Sequence, residues 1–161
     1  MKSSQRDARV REFAAAVGLD LVSPPVPGGA YSPVVSHGDT AYLAGQVAKI
    51  GNRILLAGAV GSAVTVAEAK EAAKVCALRL LGALIDAFGS LDLVSKVLRV
   101  NVFVQSAPGF DRHSEVADGA WKLLSDVLQC EVGHARTAVG VVSLPRNASV
   151  EVDMTVALFQ V

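Results

Sequence analysis

The residues of this chain best equipped for chemistry lie between Gly133 and Met154. Arg136 carries a planar guanidinium fork, which holds a carboxylate through two parallel hydrogen bonds. Further along, Glu151 and Asp153 alternate with Val150, Val152, Met154 and Val156. A period of two places both acids on the strand face opposite the valines. Arg136 falls in an earlier run with Ala138, Gly140 and Val142, spaced to share one strand face. If the two strands pair, Arg136 and Glu151 approach each other beside small side chains, leaving space for a ligand. The same two residues also read as a plain ion pair at a strand edge, a contact worth only ~0–1 kcal/mol.

Other reactive side chains have simpler readings. His37 sits in a turn and His113 near a helix start, both expected to be exposed, while His134 borders Arg136 at a cleft rim or on plain surface. Trp121 reads as a packing residue on a helix. Cys76, in an apolar helical run, reads as a small buried hydrophobe. With Cys130 it makes two cysteines, too few for a disulfide framework or for a zinc site of about four ligands. There is no metal-site motif, and Gly58 and Gly61 lack the strand-to-helix setting of a dinucleotide loop.

The elements that must position these residues follow from periodicity and punctuation. Ser3 or Ser4 can cap a first helix that runs to about Val17 and stops at Gly18, with Val10, Phe13, Ala14 and Val17 at helical spacing. A proline-rich connector follows from Ser23 to Gly29. Tyr31 to Ser36 and Ala41 to Val47 flank a turn and predict a hairpin, and Arg53 to Ala57 reads as a third strand. Thr65 with Glu68 forms a capping box that opens a helix to Phe88, ended by Gly89 and about 35 Å long. Its Ala69, Ala73, Cys76, Leu80, Leu84 and Phe88 form a stripe to be buried, with Glu68, Glu71, Arg79 and Asp86 towards another side. Strands at 96–105, 136–142 and 149–159 and a helix at 111–129 complete the order β-β-(β)-α-β-α-β-β. That order predicts an α+β domain with two helices packed on one sheet face.

Composition narrows the function classes. The 161 residues suit one domain of roughly 100–200 residues. At 52% hydrophobic the chain has more apolar area than a small monomer readily hides, which favours a homo-oligomer. Fifteen basic residues balance fifteen acidic ones, so no net field draws it to nucleic acid or to an anionic membrane. A polar start without an apolar core, and no apolar run of about 18 residues, point to a cytoplasmic protein without a membrane span.

Three short elements occur in a specific order. The run GHARTAVGVVSLPRNASVEVDM, Gly133 to Met154, resembles the C-terminal signature of the RidA/YjgF family of reactive-intermediate deaminases. Gly29-Ala30-Tyr31-Ser32 resembles the family's Gly-Pro-Tyr-Ser element, and Leu43-Ala44-Gly45-Gln46 its Ser-Gly-Gln turn. The similarity spans Pro27 to Leu158. It leaves a helical extension, residues 1–22, outside a RidA/YjgF-like domain at 23–161.

The resemblance implies a chorismate-mutase-like fold, a two-layer mixed sheet, and a homotrimer with clefts between subunits. It also implies hydrolysis of small 2-imino acids to 2-keto acids and ammonia without metal or organic cofactor. Carried across, Arg136 becomes the carboxylate clamp and Glu151 the residue that positions or activates water. Tyr31 becomes a cleft wall, Gly45 a turn whose backbone borders the ligand, and Ala138 part of the binding surface. Ala138 replaces a cysteine common in the deaminases, Ala44 a serine, and Ala30 a proline; Pro33 stands for a glutamine, and Asp118 falls near a common asparagine. These changes keep the clamp and favour, as the alternative, a non-catalytic trimer that binds a small carboxylate as a regulator. An endoribonuclease, an activity attributed to some members, is opposed by neutral charge and 5% aromatics.

Overall fold

The computed structural model describes residues 4–21, 27–129 and 133–159. Ser3, Cys130 and most of the expected proline-rich connector lie outside them. In chain order the elements are α1 (Gln5–Ala16), β1 (Val34–His37), β2 (Thr40–Val47), β3 (Lys49–Ile50), β4 (Arg53–Ile54), α2 (Val66–Phe88), β5 (Val94–Gln105), α3 (His113–Leu128), β6 (Ala135–Val141) and β7 (Val150–Leu158).

The helix boundaries have local causes. Ser4 accepts the Asp7 N–H to cap α1. At α2 the Thr65 hydroxyl accepts from the Glu68 N–H at 3.2 Å while the Glu68 carboxylate accepts from the Thr65 N–H at 2.8 Å. This reciprocal box satisfies two of the donors a helix start leaves free. Gly89, at φ 83°, ends the helix in the left-handed region that only glycine enters without strain.

Among the described residues, five strands form one sheet in the order β1-β2-β7-β5-β6, with every neighbour antiparallel except β5 and β6. The expected pairing of the two C-terminal strands is therefore not present: β5 lies between β6 and β7. Joining β5 to β6 through α3 is a crossover, which returns the chain parallel to the strand it left. That lays β6 at the sheet edge, and β7 fills the slot between β2 and β5. The expected third strand is also corrected. Arg53–Ile54 pairs only with Lys49–Ile50, in a separate two-stranded hairpin.

Both long helices pack on the same sheet face. Val150, Val152, Met154 and Val156 of β7 and Val97, Val100, Val102 and Val104 of β5 are all at most 1% exposed there. On α2 the buried surface is wider than the expected stripe, extending through Val75, Ala77, Leu78, Leu81 and Ala83, because strands, α1 and α3 all cover it. Gly119 lets α3 approach α2 closely: a Cβ there would meet the Lys70 backbone.

Helix α1 is fastened to the same body. Val10 and Ala14 join the core. Buried Asp7 accepts from the Leu91 N–H at 2.8 Å and the Ser90 hydroxyl at 2.9 Å, and Arg6 donates to the Val94 carbonyl at 2.7 Å. No described helix is long and apolar enough to cross a membrane.

Candidate functional site

The site is built where β2 and β7 lose their regular register. Leu43 faces Met154, yet Gln46 faces Val152, so β2 spends one extra residue in a bulge at Ala44–Gly45. The bulge sends the Gln46 side chain inward, where it is buried, and leaves the Gly45 backbone beneath the Glu151 side chain. A Cβ on Gly45 would collide with the Glu151 carboxyl. Glycine at 45 leaves that volume to the carboxylate, and any side chain there would push Glu151 out of this position.

Around this contact lies a cleft of about 210 Å³ lined by Tyr31, Gly45, Gln46, Pro145 and Glu151, with Lys49, Arg79 and Arg146 as its cations. The Tyr31 hydroxyl accepts the Gly28 N–H at 3.2 Å, which holds the ring against the preceding Gly28–Gly29 segment. Burial, reinforced by the charge of Asp153, pushes the Glu151 carboxyl above its ordinary pKa. Burial also raises Asp153, opposed by a 2.7 Å hydrogen bond donated by Asn101 and by the charge of Arg99. A carboxyl held up in this way takes and returns a proton more readily near neutral pH.

Of the residues expected to act together, Tyr31, Gly45 and Glu151 meet in this cleft, whereas Arg136 and Ala138 do not join them within one chain. Arg136 is in register with Val100 and Ala138 with Val102, both core residues on the helix-covered side. Glu151 pairs with Phe103 and points to the opposite face. The expectation that Arg136 and Glu151 approach each other inside the chain is corrected on both counts, strand order and face. Arg136 instead donates to the Asp118 carboxylate on α3 at 2.7 Å. Val142, expected to share its face, lies beyond β6 and is 93% exposed.

His134 stacks on Trp121 with ring centroids 3.9 Å apart, and burial followed by the Arg136 charge lowers its pKa. His37 is exposed as expected. His113 is not: it lies half-buried under Phe110, its Nε2 3.1 Å from the Ser106 hydroxyl, in the gap that Gly140 leaves open. Buried Cys76 has its thiol pKa pushed up by desolvation.

Sequence reasoning missed the cleft's cations. Arg79, expected on a helix side away from the core, lies half-buried, donating from Nε to Gln46 Oε1 at 3.2 Å and from Nη1 to the Lys49 carbonyl at 3.3 Å. Arg146 follows Pro145 in a left-handed conformation, φ 56° and ψ 28°, and Asn147 is also left-handed at φ 60°. Two such residues in succession are uncommon for side-chain-bearing positions. The turn is braced by Arg146 donating to the Asn52 carbonyl at 2.8 Å. An arginine spaced onto the flank of an apolar helix, and a basic residue in a Leu-Pro turn, were the available signals.

Two helices covering one face of a mixed sheet, with this bulge and strand order, define the chorismate-mutase-like α+β fold. The family model described as Endoribonuclease L-PSP matches residues 22–158, and the chain belongs to that family, the RidA/YjgF family. It is 40% identical over 151 residues to Protein TCP17 of Trypanosoma cruzi, covering 93% of this chain and 94% of that one. It is 29% identical over 135 residues to a 2-iminobutanoate/2-iminopropanoate deaminase of Dermatophagoides farinae, covering 83% and 90%. The crystal structure of Atu1372 from Agrobacterium tumefaciens, a protein of unknown function, superposes with a TM-score of 0.84 at 35% identity, covering 96% of this chain and 92% of that one.

Proposed function

We propose that this protein is a cytoplasmic deaminase that hydrolyses small 2-imino acids to 2-keto acids and ammonia. The observation that carries the reading is Glu151: a half-buried carboxyl with a raised pKa, lying over a side-chain-free backbone at Gly45 and beside Tyr31 in a cleft. The likeness to the mite deaminase supports it. The reaction needs little more than orientation. Glu151 draws a proton from a water whose oxygen attacks C2, and the C=N pair moves onto nitrogen, which takes up that proton. The carbinolamine then collapses as its hydroxyl proton passes through Glu151, the C–N bond breaks, and ammonia leaves.

The substrate carboxylate needs a clamp, and this reading assigns it to Arg136 of a neighbouring subunit in a homotrimer. The open sheet face supports such an assembly. Val35 and Tyr42 are 55% and 53% exposed, and Val139 is 40% exposed, all on the side away from the helices. Arg136 lies on edge strand β6, with Asp118 as the partner it must share or exchange when a substrate arrives. We further propose that residues 1–22 are an extension to a catalytic domain at 23–161.

The test is release of ammonia from freshly generated 2-iminopropanoate. Wild type accelerates it, and Arg136→Ala and Glu151→Gln alone do not. Random mixing of the two variants at equal amounts restores roughly a quarter of the sites, because half the clamps and half the bases remain intact and combine across subunits. No recovery on mixing places both groups in one subunit or outside the reaction. The second reading, a non-catalytic carboxylate-binding regulator, is favoured by the closed Arg136–Asp118 pair. It predicts binding of 2-keto acids without any wild-type acceleration.

A further inference from the structure

The cleft around Glu151 holds more positive charge than a single monocarboxylate clamped elsewhere requires. Lys49, Arg79 and Arg146 line it against one lining carboxylate, Glu151, in a chain whose basic and acidic residues balance overall. None of the three has a carboxylate within ion-pair distance among the described residues, in contrast to Arg112, held by Glu115 at 2.7 Å, and Arg136, held by Asp118 at 2.7 Å. Their hydrogen bonds go to neutral acceptors instead: Gln46 and the Lys49 carbonyl for Arg79, and Asn52 for Arg146.

At Arg79 this arrangement is costly unless it has a partner. A guanidinium drawn out of water loses hydration, and neutral acceptors recover only part of it. Desolvation indeed dominates at Arg79, lowering its pKa, although an arginine stays charged throughout. The donors that hold Arg79 also orient it. Gln46 is itself buried by the β2 bulge, so the guanidinium is fixed before any ligand arrives. The strained turn at Arg146 and Asn147 brings a second arginine to the lining of the same cleft.

We propose that Arg79, Arg146 and Lys49 form a second anion subsite, which receives a distal carboxylate, so that the substrates are short dicarboxylic 2-imino acids. The substrate class rests on the deaminase reading above; the anion subsite itself does not. In that pose the carboxylate beside the imine goes to the neighbouring Arg136, the C2 carbon lies near Glu151, and the far carboxylate lies among the cleft cations. A ligand with a methyl or ethyl group in place of that carboxylate leaves the cations unpartnered.

Calorimetry with stable keto acids tests the subsite without turnover, using 2-oxoglutarate as the dicarboxylate and 2-oxobutanoate as the monocarboxylate. One charge-assisted contact corresponds to a preference of ~10-fold or more for 2-oxoglutarate. Arg146→Gln, at an exposed position whose loss leaves the core untouched, reduces that ratio at least ~3-fold. Arg79→Gln, checked by thermal melting for an intact fold, reduces it further. A wild-type ratio near one, or a ratio unchanged in Arg146→Gln, overturns the subsite. So does equal displacement of both keto acids by inorganic phosphate with no preference between them. Parallel turnover of 2-iminopropanoate separates the two claims. Preference for 2-oxoglutarate without any imine hydrolysis sustains the subsite and removes the deaminase. Hydrolysis without preference does the reverse.

Discussion

The two faces of the sheet are finished differently. On the face covered by α2 and α3, every valine of β7 and the alternate valines of β5 are sealed from solvent. On the other face the same strands present Glu151 and Asp153, with raised carboxyl pKa values, and β1, β2 and β6 leave Val35, Tyr42 and Val139 partly bare. The first face is completed by the chain's own helices. The second has apolar residues without a cover and, beside Glu151, cleft cations that hydrogen-bond to neutral groups, which is the ground for the proposed assembly and ligand.

The largest expected consequence of that division concerns Glu151. Replacing its carboxylate by an amide keeps the shape above Gly45 and removes only proton transfer, so Glu151→Gln lowers kcat/KM for an imine substrate by ~10²–10⁴-fold. Stopped-flow measurement of keto-acid formation reads this directly. A loss of less than tenfold would leave Glu151 as a wall of the cleft only.

On the closed face the expected effect is on folding. Gly119→Val forces a branched side chain against the Lys70 backbone, where even the nearest carbonyl carbon lies 2.8 Å from an added Cβ. Backbone cannot turn aside as a side chain can, so the cost is about 3 kcal/mol or more, measured by urea unfolding. A near-wild-type midpoint would show that α3 slides on α2 with little resistance.

The closed face was legible in the sequence and the open one only in part. Thr65, Glu68 and Gly89 marked α2 to the residue because capping is a local hydrogen-bonding event. The alternation through Val150 and Glu151 assigned the acids to their face for the same local reason. Periodicity says which residues share a face of one strand, but not which strand lies alongside. Arg136 and Ala138 were grouped properly and then set against the wrong neighbour, because the insertion of β7 between β2 and β5 is decided by pairing far along the chain. The bulge at Ala44–Gly45, and the left-handed turn that delivers Arg146, are deviations from periodicity and so left no periodic trace. Gly45 was found through the family resemblance, and its physical reason emerged only with Glu151 above it.

A smaller effect is expected from the uncovered apolar residues. Tyr42→Lys and Val139→Lys each place a charge on a position already 53% or 40% exposed in the single chain, so the fold itself changes by only about 0.5 kcal/mol. In an assembly the same charge is buried without a partner. If the proposed trimer forms, sedimentation of the variants shows a folded monomer in its place, and the proposed imine turnover falls with it as the neighbouring Arg136 is lost. An unchanged sedimentation coefficient in both variants would locate the subunit contact elsewhere.

The smallest effect is the dependence of stability on pH, and its sign distinguishes the two faces as well. A carboxyl with a raised pKa in the folded state holds its proton more tightly there than in the unfolded chain. Between the two values the folded form carries more protons, so stability falls as pH rises through the carboxylate range and levels off above the folded value. Glu151 belongs to this group, with burial as the main cause and Asp153 as the second. Glu151→Gln therefore melts slightly above wild type at pH 7, and the difference closes below about pH 4, where both forms are neutral. The group is half-exposed, so screening keeps the gain under about 1 kcal/mol. The groups facing it across the cleft are Lys49, Arg79 and Arg146, with Asp153 along its own strand. A variant that melts lower than wild type at pH 7 would mean that these cations, and not burial, govern Glu151. The carboxylate would then be held ionised by the same charges that are proposed to hold a ligand, and a dicarboxylate would compete with Glu151 for them.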